Sequence, residues 1–345
     1  MSDVRFVWRT SRYVSAIAAA VVCLCALAVS AESPSETIII KGVPHIQQKP
    51  DFCGEACIAM HLQKLGHNVT QDDVFNITVA KSPAGFTDAD YARHIMNLKP
   101  TMPMGFTIVL QRPFVVIGDE QAGLVRYRAE HTVKWFVDRI EKLYFKKDPP
   151  KIYDIWLFKD DKSYRKHAEE IFGDRPDTPF GYCSDARGAL VMNIATGGGT
   201  LCHEIVHAYI ASNFPGCPAW FNEGLASLYE QCGTRGDTVV GLTNWRLEGL
   251  KKEIQADNLP SFETLLSTTS YQFYNMAKGN NYAQARYLCY YLQEKGLLVN
   301  FYNAFVRNAK DDPSGCETLK KILNESDMGD FKKRWEKWVL NLTFG

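Results

Sequence analysis

The sequence predicts an α+β protein, and three observations carry that expectation. Short apolar runs of strand length lie at 107–110, 114–117, 152–158 and 189–194. Longer stretches with apolar residues three or four apart lie at 130–145, 200–212, 223–229 and 282–295. The strands come mostly first and the helices mostly later, the order of an α+β domain rather than of repeated βαβ units. The chain has 345 residues, 46% of them hydrophobic and 23% charged. That suffices for one large domain or two smaller ones. The formal net charge is zero, so no basic field exists and nucleic acid is not expected as a partner.

In chain order, Arg5, Arg9 and Arg12 precede an apolar run from about 14 to 29, followed by Val29-Ser30-Ala31. Basic, apolar and small-residue regions in this order mark a secretory signal over 1–31, cut after Ala31. The product is then exported, periplasmic or extracellular; a membrane enters only if the segment stays attached as an anchor. Of the ten cysteines, eight follow Ala31. Export would permit disulfides among them, but no pair of Cys-x-x-Cys motifs points to a cysteine zinc site.

Ile38-Ile39-Ile40 reads as a short strand. Residues 51–66 read as a helix, with Ala56, Met60, Leu62 and Leu65 on related faces and Gly66 as the stop. A second helix is expected at 87–98 and a break at Lys99-Pro100-Thr101-Met102-Pro103. The strands and helices named above then occupy 106–345, and the last 50 residues read as mostly helical. Three segments follow: 1–31, 32–105 and 106–345.

The segment Leu201-Cys202-His203-Glu204-Ile205-Val206-His207-Ala208 is the most informative. Two histidines four residues apart lie on one helix face, so both imidazoles can reach one ion. Glu204 can reach a water on that ion. Such a water is acidified to a pKa of about 7, and a carboxylate can take its proton as it attacks a polarised carbonyl. A catalytic zinc needs a third protein ligand. Glu223, in Trp220-Phe221-Asn222-Glu223-Gly224-Leu225-Ala226, comes back towards the first helix if Pro215 and Pro218 turn the chain between them. Two His and one Glu leave a fourth position open.

Residues 106–345 thereby resemble the gluzincin metallopeptidases, the thermolysin and aminopeptidase-N superfamily, and within it the small peptidase-MA-like domains. The resemblance implies a zincin-like fold, a small sheet followed by a helical C-terminal part. It implies His203, His207 and Glu223 as zinc ligands and Glu204 as general base. It further implies an oxyanion-stabilising tyrosine. Tyr282 opens a segment with Tyr291-Leu292 nine residues on, although Tyr287, Tyr290 and Tyr291 also suit plain aromatic packing. By the same resemblance the strand 189–193 would bind the substrate backbone by strand addition. The family's aminopeptidases carry a Gly-x-Met-Glu-Asn motif; here Met192-Asn193 lack the intervening Glu, which favours an endopeptidase or another specificity. The run Thr196-Gly197-Gly198-Gly199-Thr200 lacks a Gly-Lys-Ser/Thr ending and reads as a connector, with Thr200 as a candidate helix cap.

A second resemblance covers the N-terminal segment. Gly42 to Gln48, followed by Asp51-Phe52-Cys53-Gly54-Glu55-Ala56-Cys57, is similar to the start of the papain-like peptidases that process double-glycine leader peptides. It implies Gln48 in an oxyanion hole and Cys53 as nucleophile, at a helix start where the dipole favours a thiolate. The family's later His–Asp pair has no evident counterpart, with His94 on an expected helix and His131 inside the second domain. A degenerate, mainly helical half-domain used for binding or packing is therefore expected. His45, His61, His67 and His167 read as surface residues.

The expected function is an exported zinc peptidase acting on proteins or peptides. Two alternatives stay open: a cysteine peptidase using Cys53, and a non-catalytic peptide-binding protein that retains zinc.

Overall fold

A computed structural model describes residues 44–45, 47, 53–70, 86–184, 187–276 and 278–344. The expected signal sequence with its cut after Ala31, the strand at 38–40 and Gln48 lie outside the described residues. The chain divides into two compact units, 1–78 and 79–345.

In the first unit, helix α1 spans Cys53–Lys64. It ends where the sequence predicts. Gly66 takes φ +88°, and the His67 amide reaches back to the Leu62 carbonyl at 2.9 Å, closing the last turn in a conformation that glycine adopts without a Cβ penalty. Ala56 and Ala59 are buried. Cys53 opens this helix, as expected; its side chain lies outside the described residues.

The second unit is built on a five-stranded mixed sheet: β1 Thr107–Gln111, β2 Phe114–Gly118, β3 Tyr153–Phe158, β4 Gly181–Ser184 and β5 Ala189–Asn193, in the order β1-β2-β3-β5-β4. The strands β2, β3 and β5 run parallel, while β1 and β4 are antiparallel edges. Every residue of β2, β3 and β5 is buried, which is why these strands read as continuous apolar runs. Side chains alternate between two cores. Phe114, Val116, Ile155, Leu157, Leu190 and Met192 face one, and Val115, Ile117, Trp156, Phe158 and Val191 face the other.

The second of these cores is closed by helix α2, Asp88–Leu98, and by a helix over 161–172 (α4). Thr87 and Asp90 form a reciprocal capping box at the start of α2, and Tyr91 is fully buried against the sheet. Residues 86–105, expected with the N-terminal segment, thus share a core with the strands. His167, expected at the surface, is only 8% exposed. Its ring stacks on Phe158 and meets Phe106 edge-on, at centroid distances of 5.7 and 5.1 Å.

The first core is closed by a continuous helix over 122–143 (α3), which has a π-helical stretch at Ala129–Lys134. The helix starts earlier than the expected 130, because the exposed Arg126 and Tyr127 and the half-buried Arg128 interrupt the apolar period of its first turns. Behind it lie α5 (Gly199–Asn213), α6 (Ala219–Leu228), a hairpin of β6 (Cys232–Arg235) and β7 (Thr238–Gly241), and seven more helices. These are α7 Arg246–Gln255, α8 Phe262–Leu266, α9 Ser270–Asn275, α10 Lys278–Glu294, α11 Leu298–Asn308, α12 Cys316–Leu323 and α13 Met328–Leu340. The α+β expectation and the helical C-terminal part are both met. Among the described residues no helix is long and apolar enough to cross a membrane.

Candidate metal centre

Helix α5 is buried on most of its circumference: Leu201, Cys202, Glu204, Ile205, Val206, Ala208, Tyr209 and Ile210 are all enclosed. It starts with Gly199 as its first residue, and the Gly198 cap makes no side-chain bond. Thr200, a candidate cap in the sequence reading, is already inside the helix. The chain leaves α5 at Asn213, turns at Gly216 (φ +80°), and re-enters a helix after Pro218, whose carbonyl receives the Phe221 amide at 3.0 Å. This hairpin returns Glu223 to the face that carries the two histidines. Its placement also depends on Gly224. A Cβ there would meet the Ala285 carbonyl oxygen at 3.0 Å and the Cys289 sulfur at 3.1 Å, so glycine lets α6 lie directly on the backbone of α10.

The three donors converge. His203 Nε2 lies 2.9 Å from His207 Nε2, and Glu223 Oε2 lies 3.3 Å from the first ring and 3.6 Å from the second. A tetrahedral site with bonds of 2.0–2.1 Å has ligand–ligand edges of roughly 3.3 Å, and the three separations scatter around that value. The side chains of His203, His207 and Glu223 are 12%, 18% and 7% exposed. Glu223 Oε2 is a buried carboxylate oxygen without a hydrogen-bond partner, aimed at two imidazole nitrogens. A buried oxygen of this kind is costly unless a cation faces it. The donor set therefore fits a divalent metal ion, and His203, His207 and Glu223 could hold one.

A second layer orients these groups. His207 Nδ1 lies 2.9 Å from Asn222 Oδ1, which makes Nδ1 the protonated nitrogen and leaves Nε2 free to ligate. His203 Nδ1 lies 3.4 Å from Glu230 Oε1. Glu230 is in turn gripped by Arg246, whose Nε and Nη2 donate to its two oxygens at 3.1 and 2.8 Å, and by the Asn244 amide at 3.2 Å. Tyr274 donates its hydroxyl to Glu223 Oε1 at 2.8 Å.

The electrostatics follow. Burial works against charge on Glu223, yet the two imidazoles hold its carboxyl well below the usual carboxylate range. Burial likewise opposes ionisation of Glu230, but His203 and Arg246 pull its carboxyl down. Against its own burial, His203 is raised to about 10 by Glu223 and Glu230. Without a metal this histidine carries a proton that a ligating ion must displace.

Glu204 is buried on the neighbouring face of α5 at 9% exposure, and its charge acts on His203 and Tyr274. Tyr282 is half-buried beside the same carboxylate. Its ring lies 6.4 Å from that of Tyr274 and 5.3 Å below the Arg246 guanidinium, and burial followed by the Glu223 charge pushes its hydroxyl up. The structure thus gathers His203, Glu204, His207, Glu223 and Tyr282 at one place.

One expectation is corrected. The strand 189–193, β5, has no free edge, because β3 and β4 pair with it on both sides. Among the described residues the sheet ends at β1 on one side and at β4 on the other, and β4 is the edge strand beside β5. Cys183 of β4 lines a cavity of about 540 Å³ together with His207, Glu223 and Tyr274.

In the N-terminal reading, His94 does have a carboxylate partner: its Nε2 lies 2.7 Å from Asp154 Oδ1 on β3.

Sequence reasoning missed Asn222, Glu230, Arg246 and Tyr274. Asn222 adjoins Glu223 and Glu230 follows it by seven residues, about two helical turns, so both could have been sought from spacing. Arg246 and Tyr274 reach the site only through tertiary packing.

No protein-family profile matches the chain, and no curated protein is significantly similar to it.

Proposed function

We propose that the chain is an exported zinc metallopeptidase that hydrolyses peptide bonds in proteins or peptides. The observation that carries this reading is the buried convergence of His203, His207 and Glu223, with one further carboxylate, Glu204, beside it. Zinc bound there would supply a Lewis acid for the scissile carbonyl and a water acidified to a pKa of about 7. Glu204 takes the proton of the attacking water and passes it to the leaving amine. Tyr282 donates to the developing oxyanion. Asn222 and Glu230 hold the two rings in the ligating orientation. The edge of β4 that no described strand pairs with offers backbone hydrogen-bonding groups to an extended substrate. The residues of 1–31 support export, with cleavage after Ala31, and the N-terminal segment is a papain-like remnant that binds or packs rather than cleaves.

The test is metal content together with turnover. Elemental analysis of the folded, zinc-supplemented chain should give one zinc, and none in the His203→Ala/His207→Ala double variant. Glu204→Gln should retain the zinc and lose about 10²–10⁴-fold in peptide turnover, the range of a general acid–base group. Unchanged turnover in Glu204→Gln, or zinc equally bound by the double variant, sinks the proposal.

A further inference from the structure

Two thiols meet under the metal helix, and the proposed hydrolysis uses neither. Helix α5 crosses the turn that leads into β6 at very close range. A Cβ on Gly199 would collide with the Glu230 carbonyl oxygen, so only glycine permits the approach. Cys202 follows Gly199 by three residues and lies on the same helix face. Cys232 follows Glu230 by two residues and opens β6. The Leu242 amide bonds the Gln231 carbonyl at 2.8 Å and β7 pairs Gly241 with Cys232, so Cys232 cannot swing away. Both cysteines are free thiols and line one cavity of about 460 Å³, which also borders Phe180, Trp245 and the glycine-rich connector. Cys202 is buried while Cys232 is partly exposed.

We propose that Cys202 and Cys232 form a reversible disulfide that staples the metal helix to the segment carrying Glu230, with a small-molecule disulfide such as glutathione disulfide as oxidant. The thiolate of Cys232 attacks one sulfur of glutathione disulfide and expels one glutathione thiolate. Cys202, deprotonated as it reacts, then attacks the Cys232 sulfur and expels the second. The protein gives up two electrons and two protons, and two molecules of reduced glutathione result. Cys232 is the partly exposed thiol of the two, so it is the one an external disulfide meets first. The bond would join the residue before His203 to the residue two beyond Glu230. It would therefore fix the contact between His203 Nδ1 and Glu230. The proposal stands whether or not the chain is a peptidase.

Cys289 provides the internal comparison: it is fully enclosed, so an external disulfide cannot reach it and it should stay reduced. The folded full-length chain is incubated with glutathione disulfide, quenched in acid, alkylated under denaturing conditions and mapped by mass spectrometry without reduction. The expected result is a peptide cross-linked through Cys202 and Cys232. The unfolding midpoint should rise by several degrees, since the bond closes a loop of about thirty residues, and dithiothreitol should reverse both changes. Cys232→Ser should abolish the cross-link and leave the midpoint insensitive to oxidant. Recovery of both cysteines in alkylated form overturns the proposal. So does a stable glutathione adduct on Cys232 beside an alkylated Cys202, which would show that the two sulfurs cannot meet.

Discussion

Glu230 does not face the proposed metal position, yet it should govern how tightly a metal is held. Its carboxylate lies 3.4 Å from His203 Nδ1 and is fixed from behind by two bonds from Arg246 and one from Asn244. Its charge faces Nδ1 and so favours a proton on that nitrogen, which would leave Nε2 to ligate once a metal is bound. Glu230→Gln preserves the volume and one acceptor oxygen but removes the charge that Arg246 and His203 share. Carboxylates in this position typically contribute 10–100-fold in metal affinity, which is about 1.4–2.7 kcal/mol. Arg246 is part-buried, with 24% side-chain exposure, so some destabilisation of the metal-free fold should accompany the loss. The assay is competition for zinc against a chromophoric chelator, with circular dichroism and thermal unfolding of the metal-free protein as the folding control. A folded variant that binds zinc within twofold of the parent would refute the reasoning, because His203 would then be oriented without its carboxylate.

Two further predictions rest on other parts of the fold. Gly199→Ala should destabilise the chain by on the order of 1–3 kcal/mol, the usual cost of overpacking, since the added methyl meets a backbone carbonyl rather than a yielding side chain; denaturant unfolding at an unchanged midpoint would refute it. The hydrogen bond that His94 donates to the Asp154 carboxylate raises His94 against the opposing effect of burial. A group whose folded pKa lies above its unfolded value of about 6.5 contributes fully below that pH and loses its contribution as pH rises through the folded pKa. Asp154 is itself raised, by burial first, and its dependence has the same sign at lower pH. The stability gap between the parent and His94→Gln should therefore shrink from pH 6 to pH 9. Parallel unfolding curves across that range contradict it.

How much of this was legible in the residues depended on whether a feature repeats locally or is assembled from afar. The central strands were readable because β2, β3 and β5 are buried on both faces and can hold little but apolar residues. The histidine helix was readable because one covalent spacing, i to i+4, fixes a three-dimensional relation. The return of Glu223 followed from two prolines and a helix-length gap. The edge of the sheet at β4 was not readable. β4 has four residues, Gly181-Tyr182-Cys183-Ser184, only partly buried beyond the first, and no periodicity can emerge from so short a run. The substrate-binding role of β5 came from the resemblance alone, and nothing in the residues of β4 spoke against it. His167 was misjudged for a related reason: its charged neighbours Lys166 and Glu169 are exposed, but a helix places i and i+1 about 100° apart, so a polar pair says little about the residue beside it. Arg246 and Tyr274 mark the limit of such reading. Each reaches the site through one side chain projected from a helix after β7, and the sequence near them carries no trace of the carboxylate they contact. The most local part of the centre, the three residues that could hold a metal, was thus the most legible, and the groups that set its electrostatics required the fold.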